Sequence, residues 1–150
     1  MNINKLNFKS MKKVISLFAV VLFSTMFLAC SQAQTKKSVT TSNAKLEVYY
    51  FHSTNRCPTC NAVENNAKKL LEESYKTELA NGTIKFASFN MDESANKTLV
   101  EKYQVSTSTL LIIKANGTKT DFTNTAFQYA RTNPTKYAEL LKIEIDKNLK

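Results

Sequence analysis

Two thiols three residues apart, Cys57 and Cys60, stand where an apolar run, Lys45 to Phe51 (KLEVYYF), hands over through His52–Arg56 to a stretch of helical period opening at Pro58. Thiols spaced this way at a helix start share its first turn. The leading sulfur then lies beside backbone N–H groups that have no helical partner and at the positive end of the helix dipole, so its thiolate is favoured. The thiolate is the species that attacks disulfides and binds soft metals. Cys57 is therefore the candidate nucleophile. Cys60, one turn further in, is placed to attack a mixed disulfide and close the ring, with Pro58 and Thr59 as the spacer. The competing readings are a structural disulfide or half of a zinc site. A two-residue loop constrains little of the unfolded chain, and zinc needs more ligands than the lone His52 adds, so chemistry is the stronger reading. For His52 itself the commoner role is a hydrogen-bonded rim residue, with a base or metal ligand as the alternative.

The chain of 150 residues suggests one working domain behind a leader. Lys12 and Lys13 precede an uncharged run from Val14 to Ala29, the pattern of a basic n-region and an apolar h-region, with Met11 as plausible a start as Met1. The run is a little short of the roughly 20 residues of a membrane span, which is the alternative. Phe27-Leu28-Ala29-Cys30 resembles the lipobox of bacterial lipoproteins, with Phe27 in place of the usual aliphatic residue. Residues 1–30 are thus expected to be a signal peptide of lipoprotein type, Cys30 the lipidated residue and membrane anchor, and the protein to be exported to the periplasmic face. Ordinary cleavage after Ala33 is the other option. Lipidation would leave one pair among the three cysteines for redox work.

Charge adds a constraint on partners. The formal +9 includes four leader lysines, which leaves 17 basic residues against 12 acids, about +5, scattered rather than clustered. Without a basic stripe or interleaved aromatics, no nucleic acid is expected as a partner, and a monomer is.

Residues 31–44 are polar enough to read as a flexible tether, and 45–150 as the folded domain. Lys45–Phe51 reads as a strand covered on both faces. Ala62, Val63, Ala67, Leu70, Leu71 and Tyr75 then recur at helical spacing to an expected end near Asn81-Gly82. Glu64 reads as an exposed carboxylate paired with Lys68. Thr83–Phe89 alternates as a second strand, and Ala95–Tyr103 is a short helix burying Leu99, Val100 and Tyr103. Thr109–Ile113 is a third strand, and Asn116-Gly117 a hairpin turn returning Thr118–Phe122 as a fourth. Asn124–Thr132 has no clear pattern. Asn133-Pro134 caps a last helix with the stripe Tyr137, Leu140, Leu141, Ile145 and Leu149.

The order βαβ-ββα predicts an α/β domain with a four-stranded mixed sheet and helices on both faces. With the Cys-x-x-Cys opening the first helix, residues Lys45 to Leu149 resemble the thioredoxin fold. That resemblance implies a thiol–disulfide oxidoreductase whose only cofactor is the redox-active disulfide Cys57–Cys60, working on a protein thiol or disulfide client or with a membrane electron donor. Several positions depart from the family pattern. Arg56 replaces the Trp before the first Cys and is expected to favour the Cys57 thiolate electrostatically. The buried acid of the first strand falls on Phe51. The cis-proline beside the cysteines is replaced by Thr109, or by Ser108 with a one-residue shift, so a trans or rebuilt loop is expected.

The signature Tyr49 to Glu64 (YYFHSTNRCPTCNAVE) is similar to that of the ArsF family, small exported thioredoxin-like proteins labelled as nitrophenyl compound nitroreductase subunits and associated with arsenic-resistance operons. The resemblance implies a redox or arsenic-handling setting. The missing proline strengthens an alternative in which Cys57 and Cys60, with His52, bind As(III) or Cu(I) without turnover, or in which the chain is an accessory redox subunit.

Overall fold

The computed structural model describes residues 43–150. The expected signal peptide, the lipidation site Cys30 and most of the tether lie outside the described residues.

Four strands form one mixed sheet. β1 (Leu46–His52) lies between β2 (Ile84–Asn90), to which it is parallel, and β3 (Thr109–Lys114), to which it is antiparallel; β4 (Lys119–Asp121) pairs antiparallel with the outer side of β3. The central β1 is buried from Val48 to Phe51 because helices cover both faces. Period-two alternation sorts its side chains. Leu46, Val48 and Tyr50 join Leu110 and Ile112 on one face, against Val63, Ala67 and Leu71 of α1 (Pro58–Ser74) and Tyr137, Leu141 and Ile145 of α5 (Pro134–Leu149). Tyr49, Phe51, Leu111 and Ile113 take the other face, against Tyr103, Leu99 and Val100 of α3 (Lys97–Tyr103). There the rings of Tyr49, Phe51, Phe89 and Tyr103 pack with centroids 5.1–5.9 Å apart. Each fully buried large apolar side chain contributes about 1.5–3 kcal/mol, so both layers are needed to hold the sheet.

Local signals account for most boundaries. Asn133 accepts the Lys136 N–H at 3.0 Å and Pro134 takes the first position of α5. Gly117, at φ +85°, completes the turn from Lys114, whose carbonyl accepts its N–H at 2.8 Å.

Three elements differ from the sequence-based expectation. The first helix does not run on to Asn81; it breaks at Tyr75 (φ −134°, ψ 32°) and resumes as α2 (Lys76–Ala80). Tyr75 is buried, and its hydroxyl donates to Asp146 of α5 at 2.6 Å, so packing between helices overrides helical continuity. The patternless segment folds as α4 (Thr123–Tyr129), which buries Ala126, with Ala130 packed just beyond its end. The short helix α3 begins later than Ala95, after a 3-10 turn at Ser94–Asn96.

Candidate functional site

The two thiols lie at the carboxyl end of β1, where the chain leaves the sheet and enters α1. Cys57 is the N-cap of α1 (φ −76°, ψ 160°), and its Sγ accepts the backbone N–H of Cys60 at 3.1 Å. A sulfur thus fills the role that Ser, Thr, Asp or Asn oxygens usually play at a helix start. Pro58 follows at the first helical position, where its missing N–H costs no bond. Cys57 is exposed and Cys60 is buried, at 8% exposure. Both are free thiols.

This placement acts on the chemistry of Cys57. The Cys60 thiol, and after it the Cys60 and Thr59 backbone N–H groups, hold the Cys57 thiol below its ordinary range. All are hydrogen-bond donors that favour the charged sulfur. The guanidinium of Arg56 is engaged elsewhere. Its Nη1 pairs with Glu64, its Nη2 donates to the Cys60 carbonyl at 3.2 Å, and its Cζ sits 5.6 Å from the centre of the Tyr50 ring. Arg56 therefore braces the first turn of α1 around Cys60. Glu64 takes Arg56 as its ion-pair partner, and Lys68 pairs with Glu72; the expected Glu64–Lys68 contact is replaced by a pair with a partly buried guanidinium, which solvent screens less.

The loop before the cysteines is pinned to the end of β2. Asp92 Oδ2 accepts the Thr54 N–H at 2.7 Å, the His52 carbonyl accepts the Met91 N–H at 2.7 Å, and Asn90 donates to Thr54 Oγ1 at 3.0 Å. The Thr54 N–H holds the Asp92 carboxyl below the usual carboxylate range, with the Thr54 hydroxyl and His52 adding to the effect. His52 donates from Nδ1 to the Ser53 carbonyl at 2.9 Å. Among the described residues, no three His, Cys, Asp or Glu side chains gather in a cluster able to hold a metal ion.

Sheet alternation decides what lies opposite Cys60. Ser108 shares the α1 face with Leu110, and its Oγ is 3.9 Å from Cys60 Sγ. Thr109, one residue on, opens β3 opposite Phe51, donates to the Thr107 carbonyl at 2.8 Å, and lines a groove of about 370 Å³ with Tyr103, Val105 and Lys119. Of the two positions considered for the missing proline, Ser108 is the one beside the thiols. Every peptide bond among the described residues is trans. Phe51 likewise turns to the α3 face, and Tyr50 takes the α1 face. Tyr50 is fully buried; burial pushes its phenol up to about 12, the Cys60 sulfur adds to the rise, and Ser108 and Arg56 oppose it. Tyr50 and the Arg56–Glu64 pair are the site features that sequence reasoning missed. The signal for Tyr50 was available: a residue at an odd separation from Phe51 on one strand must face the opposite layer.

Neither a protein-family model nor a curated protein matches the sequence. Among solved structures, one described as the structure of a malarial protein aligns with a TM-score of 0.38 and 21% identity, over 51% of this chain and 80% of its own. Likeness at that level carries no argument about this chain.

Proposed function

We infer that this chain is a thioredoxin-like thiol–disulfide oxidoreductase in which Cys57 attacks and Cys60 resolves. The observation that carries the reading is the unequal setting of the two sulfurs. Cys57 is open to solvent, caps α1 and is held toward its thiolate; Cys60 is buried one turn behind it. A nucleophile must be ionised and reachable, whereas a resolving thiol needs only to reach its neighbour. The strand order β2-β1-β3-β4, with the sheet covered on both faces, is compatible with a thioredoxin-like arrangement. Export and a lipid anchor on Cys30 belong to the same reading and rest on the sequence alone.

In the reductive direction the Cys57 thiolate attacks one sulfur of a client disulfide. The client's other sulfur leaves as a thiolate and takes up a proton. Cys60 then attacks Cys57 of the mixed disulfide, releasing the second client thiol and leaving the Cys57–Cys60 disulfide. The reverse sequence oxidises a client dithiol. The relevant test compares insulin reduction by the wild-type chain with that of Cys57→Ser, which is expected to be inactive, and Cys60→Ser, which is expected to accumulate a client mixed disulfide. A protein that turns over no disulfide but binds one equivalent of arsenite or copper(I), with equal loss in both variants, would instead be a dithiol binding module.

A further inference from the structure

Among the described residues, three buried side-chain polar atoms have no hydrogen-bond partner: Tyr50 Oη, Arg56 Nε and Ser88 Oγ. Protein interiors rarely leave such groups unpaired, and a cluster of them calls for an explanation. These three belong to one place. Tyr50 and Ser88 are register partners on adjacent parallel strands and so share the face covered by α1. The Arg56 guanidinium lies over the Tyr50 ring. Ser108, whose Oγ is 3.9 Å from Cys60 Sγ, enters the same region from the loop before β3.

The set is rich in donors. A phenol, two aliphatic hydroxyls and a guanidinium N–H can all donate, and the carboxylate nearby, Glu64, is already paired with Arg56. Such a set suits an anion. In the exchange cycle the group behind the first turn of α1 that becomes anionic is the Cys60 sulfur.

We propose that Tyr50 and Ser108, backed by Arg56, form a buried donor site that receives the negative charge on Cys60 Sγ while the mixed disulfide is resolved. The proposal rests on the thiol-exchange reading above and assigns it two further residues. In the resolving step the Cys60 thiol releases its proton to solvent, its sulfur lone pair forms the bond to Cys57 Sγ, and the Cys57–client bond breaks with its electron pair going to the client sulfur, which recovers a proton from solvent. That sulfur departs as the thiol; the client is reduced and the cysteine pair oxidised. Tyr50 and Ser108 remain un-ionised throughout. Their part is to donate hydrogen bonds to a sulfur that would otherwise charge in a water-poor setting, at high cost. Arg56 is neutralised by Glu64 of α1, α5 contributes the phenol of Tyr137, and on β1 the His52 ring is 6.0 Å from that of Tyr50.

The test is a two-phase reaction of the full reduced chain with Ellman's reagent. Attack by Cys57 releases a first coloured thiol, and resolution by Cys60 releases the second. Tyr50→Phe is expected to slow the second phase about tenfold relative to the first and to move its pH profile about one unit upward, since a tenfold rate change corresponds to about 1.4 kcal/mol. Ser108→Ala is expected to act in the same direction. Ser108 is a partly buried loop residue, so this variant carries the measurement should Tyr50→Phe fail to fold. A second phase with wild-type rate and pH profile in the variants overturns the donor site and leaves the thiol-exchange reading standing. A wild-type chain with no Cys60-dependent second phase overturns both.

Discussion

Arg56 and Glu64 clasp each other across the first turn of α1, with Nη1 2.5 Å from Oε2. Their side chains are 22% and 20% exposed, whereas the Lys68–Glu72 pair on the same helix is 60% and 59% exposed. Less solvent means less screening, so the two pairs should differ in strength. Double-mutant cycles by urea unfolding, with Arg56→Met and Glu64→Gln against Lys68→Met and Glu72→Gln, are expected to give a coupling of about 1 kcal/mol for the first pair and about 0.3 kcal/mol for the second. Equal couplings would show that burial adds nothing at this site.

The Cys57 thiol is held low first by the thiol of Cys60 and then by backbone N–H groups, and these contributions can be separated. Wild-type protein should react with iodoacetamide along a pH profile centred below the ordinary thiol value of about 8.5. Cys60→Ala removes the largest contribution and leaves the backbone donors, so its profile should move upward without reaching that of a free thiol. The sign for stability follows. A folded value below the unfolded one stabilises the native state fully above about pH 8.5, and the gain fades as pH falls through the depressed folded value. A Cys57 profile identical to that of a model thiol would remove the basis of the proposed reaction.

Asp92 ties the loop that presents the cysteines to the end of β2 through the Thr54 N–H. Asp92→Asn keeps an acceptor but removes its charge, so the bond should weaken rather than vanish. Amide exchange at Thr54 is expected to quicken several-fold, with little change at Leu110 in the sheet. In the wild-type chain the same loosening should appear in acid, because a depressed carboxyl stabilises above the ordinary Asp range near pH 3.9 and loses that contribution as pH falls through its folded value. Thr54 exchange that is indifferent to both changes would mean the contact does not hold the loop.

Period and capping chemistry made much of this architecture readable. The apolar run into Phe51, which marks a strand covered on both faces, the helical stripe from Val63 to Leu71, and Asn133-Pro134 each state a local rule that the surrounding structure leaves intact. Tyr75 obeyed no local rule, because a residue that continues a helical stripe interrupts its helix only when a distant group, here Asp146, holds it. The site was legible to the same depth. Cys57 and Cys60 announced themselves by spacing, but the partners of Cys60 come from β1 and from the loop before β3, and a one-residue slip in that loop exchanges Ser108 for Thr109 and one sheet face for the other. Arg56 was expected to act on the Cys57 sulfur; its engagement with Glu64 and the Cys60 carbonyl instead depends on which way the first turn of α1 directs a long side chain.

Tyr137 provides a test of the core behind the site. It is fully buried on α5, and its hydroxyl donates to the Val63 carbonyl of α1 at 2.9 Å, one turn beyond Cys60. Tyr137→Phe keeps the ring and removes the hydroxyl, at an expected cost of about 1 kcal/mol near neutral pH, against about 3–5 kcal/mol for Tyr137→Ala. The pH dependence should separate hydroxyl from ring. Burial raises the phenol far above its ordinary value, and a raised folded value stabilises fully below the unfolded one, about pH 10, and is lost as pH climbs beyond it. Urea midpoints at about pH 8 and about pH 11 should therefore show Tyr137→Phe as the less stable protein at the lower pH, with the gap narrowing or reversing at the higher. A gap that is the same at both would mean that the hydroxyl is hydrated, and that α1 and α5 do not close over it.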